Sequence, residues 1–163
     1  MSKEFDKALE FVMRWEGGLV DNPDDSGGVT SFGISKRAFP GLDVENLTKE
    51  QAVEIYRKEY WDRCKCDSLP GRVALVVFDE AVNQGCRAAA CDLQEACGAV
   101  VDGVVGHLTV LSANTVDEAE LVKAIVAERM ERYRKTVMTR PENEVFTEGW
   151  QNRAEACLEE ALS

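Results

Sequence analysis

Apolar residues recur along most of the chain at a helical spacing, with one short stretch that alternates instead. Phe5, Ala8, Leu9, Val12 and Glu16 fall at offsets 0, 3, 4, 7 and 11. At about 100° per residue these positions form one stripe, so residues 3–16 predict an amphipathic helix. Leu47-Thr48-x-x-Gln51 has the form of a capping box. It opens a helix to about Asp62 with Ala52, Val53, Tyr56 and Tyr60 inward. Ser68-Leu69-Pro70 starts another, in which Ala74, Val77, Phe78, Ala81 and Val82 keep a helical period to Gly85. That segment is the candidate for a central buried helix. Residues 87–97 predict a helix of small side chains ended by Gly98, followed by a glycine-punctuated connection over 100–109 that holds His107 as an exposed loop residue. Asp117 caps a long helix over about 118–138, stopped near Pro141. Its charged face of Glu128, Arg129, Glu131, Arg132, Arg134 and Lys135 reads as a solvated surface with i,i+4 pairs. Thr147 opens a last helix with Trp150, Ala154, Cys157, Leu158 and Ala161 on one stripe.

The alternating stretch follows the first helix. Gly17-Gly18 ends that helix, since glycine accepts the left-handed conformation there. Asn22-Pro23-Asp24-Asp25 and Ser26-Gly27-Gly28 are turn formers. Val29, Ser31 and Gly33 then alternate with Thr30, Phe32 and Ile34, which predicts a short hairpin strand. Ser35 caps a short helix over 36–39, stopped by Pro40-Gly41. The fold class expected is mostly α with a small β-hairpin.

Glu16 occupies a core-facing position at the C-terminal end of its helix. Burial and the negative end of the helix dipole both disfavour a charged carboxylate, which is what a general acid near neutral pH requires. An ordinary exposed last-turn glutamate fits the same position. Inverting hydrolysis of a glycosidic bond needs an acid on one face and a base or positioned water on the other. Asp25 lies nine residues after Glu16 and Thr30 fourteen after it. A helix end followed by a hairpin can gather them round one cleft, with the Thr30 hydroxyl holding a water. A surface Asx turn beside an unremarkable threonine has the same spacing.

The run Glu16-Gly17-Gly18, Pro23, Asp25, Gly27-Gly28, Thr30 and Gly33-Ile34 resembles the signature of glycoside hydrolase family 108, phage and prophage endolysins and related bacterial N-acetylmuramidases that are also labelled secretion activator proteins. The order Glu, Asp, Thr also resembles the catalytic constellation of the wider phage-lysozyme group, in which the gap from Asp to Thr is commonly one residue longer. The resemblance continues through Tyr60-Trp61, Leu69-Pro70, Phe78-Asp79 and Ala81-Val82-Asn83-x-Gly85. Leu93-Gln94 and Asp102-Gly103-x-x-Gly106-x-x-Thr109 are similar to the family's C-terminal peptidoglycan-binding region. The resemblance implies a lysozyme-like fold with the hairpin beside the cleft. It implies hydrolysis of the β-1,4 bond between N-acetylmuramic acid and N-acetylglucosamine, with Glu16 as the acid. Asp25 would stabilise developing positive charge or orient water, and Thr30 would position that water. Tyr60 and Trp61 would stack on sugar, and Asn83 and Gln84 would hydrogen-bond it; an aromatic helix end in the core and polar residues closing a helix are the plainer readings of those four. No metal or cofactor is implied. A lytic transglycosylase and a non-catalytic wall-binding or secretion-regulating protein are the alternatives.

Length and composition limit the rest. The 163 residues suggest one compact domain, with 1–85 as the catalytic region and 86–163 as a helical region packed integrally on it. No stretch reaches the ~18 apolar residues of a membrane span. The N-terminal MSKEFDKALEF lacks a secretory apolar core, so synthesis in the cytoplasm is the expectation. The activity that the resemblance implies would then need a holin or another export route to reach the cell wall in the periplasm, and a monomer is expected. The formal charge of −11 argues against nucleic acid, and it departs from the basic character of many lytic enzymes. Six cysteines read as reduced structural thiols: Cys64-x-Cys66 has the wrong spacing for a zinc knuckle, and His107 is the lone histidine. A Ser-His-Asp or Cys-His hydrolase has little support.

Overall fold

The structure is a computed structural model that describes residues 2–16 and 30–163. Ser2 caps helix α1 (Lys3–Trp15) by accepting from the Phe5 amide, and Glu16 closes it as C-cap. Phe5, Ala8, Phe11 and Val12 form its buried stripe. The glycine pair that should follow, and the turn containing Asp25, lie outside the described residues. Strands β1 (Thr30–Ser31) and β2 (Ile34–Ser35) pair antiparallel, Thr30 opposite Ser35 and Ser31 opposite Ile34. The reversal falls at Phe32-Gly33, inside the segment read from sequence as one strand. Both residues have positive φ, 54° and 75°, as a two-residue hairpin loop requires. Residues 36–38 form a turn, with Ser35 accepting from the Ala38 amide, and no helix develops over 36–39.

The Thr48/Gln51 capping box is present and opens helix α2 (Lys49–Tyr56). Continuous α-helix does not run on to Asp62. A π-helical turn spans Arg57–Trp61, closed by the Asp62 amide on the Arg57 carbonyl. It directs Trp61 into the core, packed edge-on against Phe5 and Phe78. Helix α3 (Gly71–Gln84) is the central element, in contact with α1, α4 (Cys86–Cys97), α6 (Glu118–Thr139) and α7 (Thr147–Leu162). Its buried positions include two acids, Asp79 and Glu80. The connection after α4 holds a short helix α5 (His107–Ala113), so His107 is exposed as expected but starts a helix. Gln94, buried on α4, organises that connection: its amide donates to Asp102, Val104 and Thr109 and accepts from the Asp102 and Gly103 amides. The architecture is thus mostly α and lysozyme-like, with one short hairpin among the described residues. No helix among those residues is long and apolar enough to cross a membrane.

Candidate active site

Glu16 is partly buried where α1 ends. Its Oε1 accepts from Arg153 Nη1 of α7 at 2.7 Å. Arg153 also gives its Nε to Asp79 Oδ1 at 2.8 Å, and Arg129 Nη1 of α6 takes Asp79 Oδ2 at 2.7 Å. Asp79 and Arg129 are fully buried, and Arg153 is nearly so. Burial alone disfavours every one of these charges; alternating them, acid to base to acid to base, is what makes the row tolerable. The row extends from Arg129 to the Tyr133 hydroxyl, which burial pushes up to about 12 against the opposing effect of Arg129. That hydroxyl donates to Asn83 Oδ1 at 3.1 Å, where Gln84 Nε2 also donates. Asn83 therefore has its carbonyl oxygen occupied, while its Nδ2 has no partner among the described residues.

The hairpin turn closes over the other side of Glu16. A Cβ on Gly33 would stand 2.8 Å from the Glu16 Cβ and 2.7 Å from the Tyr56 hydroxyl, so only glycine fits. The Tyr56 hydroxyl donates to the Phe32 carbonyl at 3.1 Å, fixing the turn. Burial pushes that hydroxyl well above the usual tyrosine range, and Glu16 and Tyr60 add to the effect. It is thus a permanent donor. Tyr60, half-buried, is raised by burial, then by Cys86 and Glu16.

Of the residues singled out from sequence, the structure gathers Glu16 and Tyr60, and links Asn83 and Gln84 to them through Tyr133, Arg129, Asp79 and Arg153. Thr30 contributes main chain to β1, across the hairpin from Ser35. Asp25 lies outside the described residues. Trp61 must be corrected: it is fully buried and gives its indole N–H to Asp67, so it has no face to offer a sugar. The solvated face of α6 needs correcting in part: Glu131 pairs with Arg134 and Lys135 at the surface as expected, but Arg129 is fully buried on Asp79 and Arg132 pairs with buried Asp92. Sequence reasoning missed Arg153, Asp79 and Gly33 as parts of the site. Asp79 carried a signal, an acid inside the most apolar helical pattern. Arg153 carried none, since arginine on a helix face looks like surface.

An apolar cavity of about 480 Å³ between α1, Phe32 and α2 includes none of the Glu16 row. The charged residues that line it, Asp6, Glu10, Arg14 and Lys49, are all exposed, whereas the groups around Glu16 are partly or fully buried and bonded to one another, so Glu16 is the candidate site.

Residues 9–85 match the family model Glycosyl hydrolase 108, and residues 88–155 match Predicted Peptidoglycan domain. The solved structure of Brucella abortus SagA is similar to this chain at 32% identity, with a TM-score of 0.80 over 97% of this chain and 93% of that one. None of the curated proteins matches.

Proposed function

Because the chain belongs to the glycosyl hydrolase 108 family, and carries a predicted peptidoglycan domain that makes peptidoglycan its substrate or partner, we propose that it is a muramidase. It hydrolyses the β-1,4 bond between N-acetylmuramic acid and N-acetylglucosamine. The observation that carries this reading is Glu16 itself, a partly buried carboxyl held between Arg153 and a glycine turn braced by Tyr56.

In the proposed reaction Glu16 protonates the leaving oxygen as the glycosidic bond breaks. Asp79 keeps Arg153 compensated whether Glu16 carries its proton or has given it away, so the guanidinium can hold the acid throughout. The Tyr56 brace and the Arg153 bond restrict the Glu16 rotamer, which favours a productive geometry. Asp25 stabilises positive charge on the sugar or orients water, and Thr30 positions that water. Tyr60 offers its partly open ring to the glycan, and Asn83 offers its amide. The protein acts on the wall as an endolysin-type enzyme, made in the cytoplasm and released by a holin or another route.

Glu16→Gln tests the reading. Glutamine keeps the shape and the bond from Arg153 but has no proton to give, so lysis of purified peptidoglycan should fall by roughly 10²–10⁴ while the melting temperature stays near the parent's. Mass spectrometry of the parent's digest should show reducing N-acetylmuramic acid ends. Anhydro ends would assign a transglycosylase, and an undigested wall a binder.

A further inference from the structure

The last helix carries a row of three side chains, two of which, Phe146 and Trp150, the proposed reaction does not use. Phe146, Trp150 and Arg153 are spaced i, i+4 and i+7, so they share one face of α7 and its N-cap. Arg153 ends this row on the catalytic acid. Towards the N-terminus the row climbs out of the core. Arg153 is buried, Trp150 is partly exposed, and Phe146 is 55% exposed. The rings are not loose. Phe146 stacks on Trp150 with centroids 6.0 Å apart and planes 27° from parallel. Trp150 stacks in turn on buried Tyr133 at 5.2 Å and 30°. Tyr133 is anchored by Arg129 and by Asn83, the residue whose amide N–H₂ is free of partners among the described residues.

We propose that Phe146, backed by Trp150 and Tyr133, is a sugar-stacking subsite that extends the glycan path beyond Glu16. This rests on the muramidase reading above. An aminosugar ring has an apolar face of C–H groups and a rim of hydroxyl and acetamido groups. The stack supplies a rigid apolar face already ordered before the ligand arrives, so little side-chain entropy is lost on binding. Asn83, bonded to the same Tyr133, supplies a donor for the rim. Seven helical positions separate Phe146 from Arg153, about 10 Å along an axis, so the platform lies beyond the scissile bond, where a further sugar of a long strand passes. A polymer fits this arrangement. An anionic membrane does not suit a chain of charge −11.

The test compares substrate lengths. Phe146 is exposed, so Phe146→Ala should fold like the parent, and Phe146→Tyr keeps the ring. On long glycan strands Phe146→Ala should raise KM roughly three- to tenfold with kcat unchanged, the size expected of one aromatic contact. On the shortest disaccharide repeats that the parent cleaves, it should match the parent, and Phe146→Tyr should match the parent on both. Equal kinetics for Phe146→Ala and the parent at every length overturn the subsite, as does an equal loss at every length. Binding separates this from failure of the muramidase reading. In a Trp15→Phe protein, Trp150 is the remaining partly exposed indole, since Trp61 is fully buried. Long N-acetylglucosamine oligomers should shift its fluorescence saturably, and the shift should weaken in Phe146→Ala, even if no bond is cut. No shift, or a shift produced by anionic phosphatidylglycerol vesicles and not by the oligomers, overturns the proposal.

Discussion

Glu80 and Asp79 are neighbours on α3, both fully buried, and they meet opposite surroundings. Asp79 accepts from two guanidinium groups, one on each oxygen. Glu80 has no hydrogen-bond partner on either oxygen among the described residues. Burial pushes its carboxyl well above the usual range, the neighbouring Asp92 adds to this, and Arg129 and Arg132 oppose it. Glu80 is therefore neutral in the folded chain at a pH where an unfolded glutamate, with a pKa of about 4.3, has already ionised. The sign follows from linkage: the stability this neutral group lends is complete below about pH 4.3 and is lost as the pH climbs towards the folded value. Glu80→Gln removes the titration. Its stability relative to the parent should therefore improve steadily from pH 5 to pH 8, whatever the offset of a buried amide. Urea midpoints at pH 5, 6.5 and 8 measure this, and a pH-independent difference would show that Glu80 is charged inside the fold. Asp79 is the contrasting case, a buried charge kept because both its oxygens are used.

At the scale of elements, the hairpin turn is the part that packs on Glu16. Gly33 is in the left-handed region at φ 75°, and a Cβ there would overlap both Glu16 and the Tyr56 hydroxyl. Gly33→Ala should cost about 2 kcal/mol or more and lower lytic activity at least tenfold by displacing Glu16. Gly41→Ala is the control, because a Cβ at Gly41 meets nothing within 4 Å. If both variants melt and lyse like the parent, the turn does not hold the acid. Much of this element-level design was legible beforehand. The capping box at Thr48, the apolar period of α3, the Gly98 stop and the Asp117 cap are local signals, and the structure has each of them. The hairpin reversal was misplaced because Phe32, a poor residue for positive φ, occupies it; the Tyr56 bond that holds it comes from 24 residues away. The π-turn at Arg57–Trp61 escaped for a related reason. Its sequence has ordinary helical spacing, and the extra residue serves the packing of Trp61 on Phe5 and Phe78, which no local pattern records. Glu16 was singled out through its place at a helix end, and the structure has it there as the C-cap of α1. Its partners were not, because a bond spanning 137 positions leaves no trace in spacing.

Across the whole molecule, that long-range bond ties the two matched regions into one site. Glu16 lies in the stretch 9–85 that matches the glycosyl hydrolase model, and Arg153 lies in the stretch 88–155 that matches the peptidoglycan domain. Asp79, also in the first stretch, is held by Arg129 and Arg153, both in the second. A C-terminal region that only gathered substrate could be altered without touching turnover on soluble glycan. A region that supplies the hydrogen-bond partner of the proposed acid could not, if Glu16 acts as proposed. Arg153→Met should expose the difference in two ways. It leaves the buried Asp79 with one of its two cations, which should destabilise the fold by about 3 kcal/mol. It also frees the Glu16 carboxyl from its anchor, so kcat on soluble glycan should fall at least tenfold with KM little changed, the pattern of a group that acts on the transition state. Arg153→Lys keeps the charge but cannot bond Asp79 and Glu16 in the same forked geometry, so it should recover most of the stability and only part of kcat. The pH profile adds a readout that stability alone would not move: the alkaline limb of kcat/KM, which a proton donor sets, should shift in Arg153→Met and return towards the parent's in Arg153→Lys, since a charge within hydrogen-bond distance of Glu16 has been removed and then restored. Sedimentation with peptidoglycan should be the same for all three proteins under conditions where each is folded. If Arg153→Met, folded, turns over soluble glycan with the parent's kcat and pH profile, then α7 steadies the core and has no part in the chemistry. The bond to Glu16 would then be a consequence of packing.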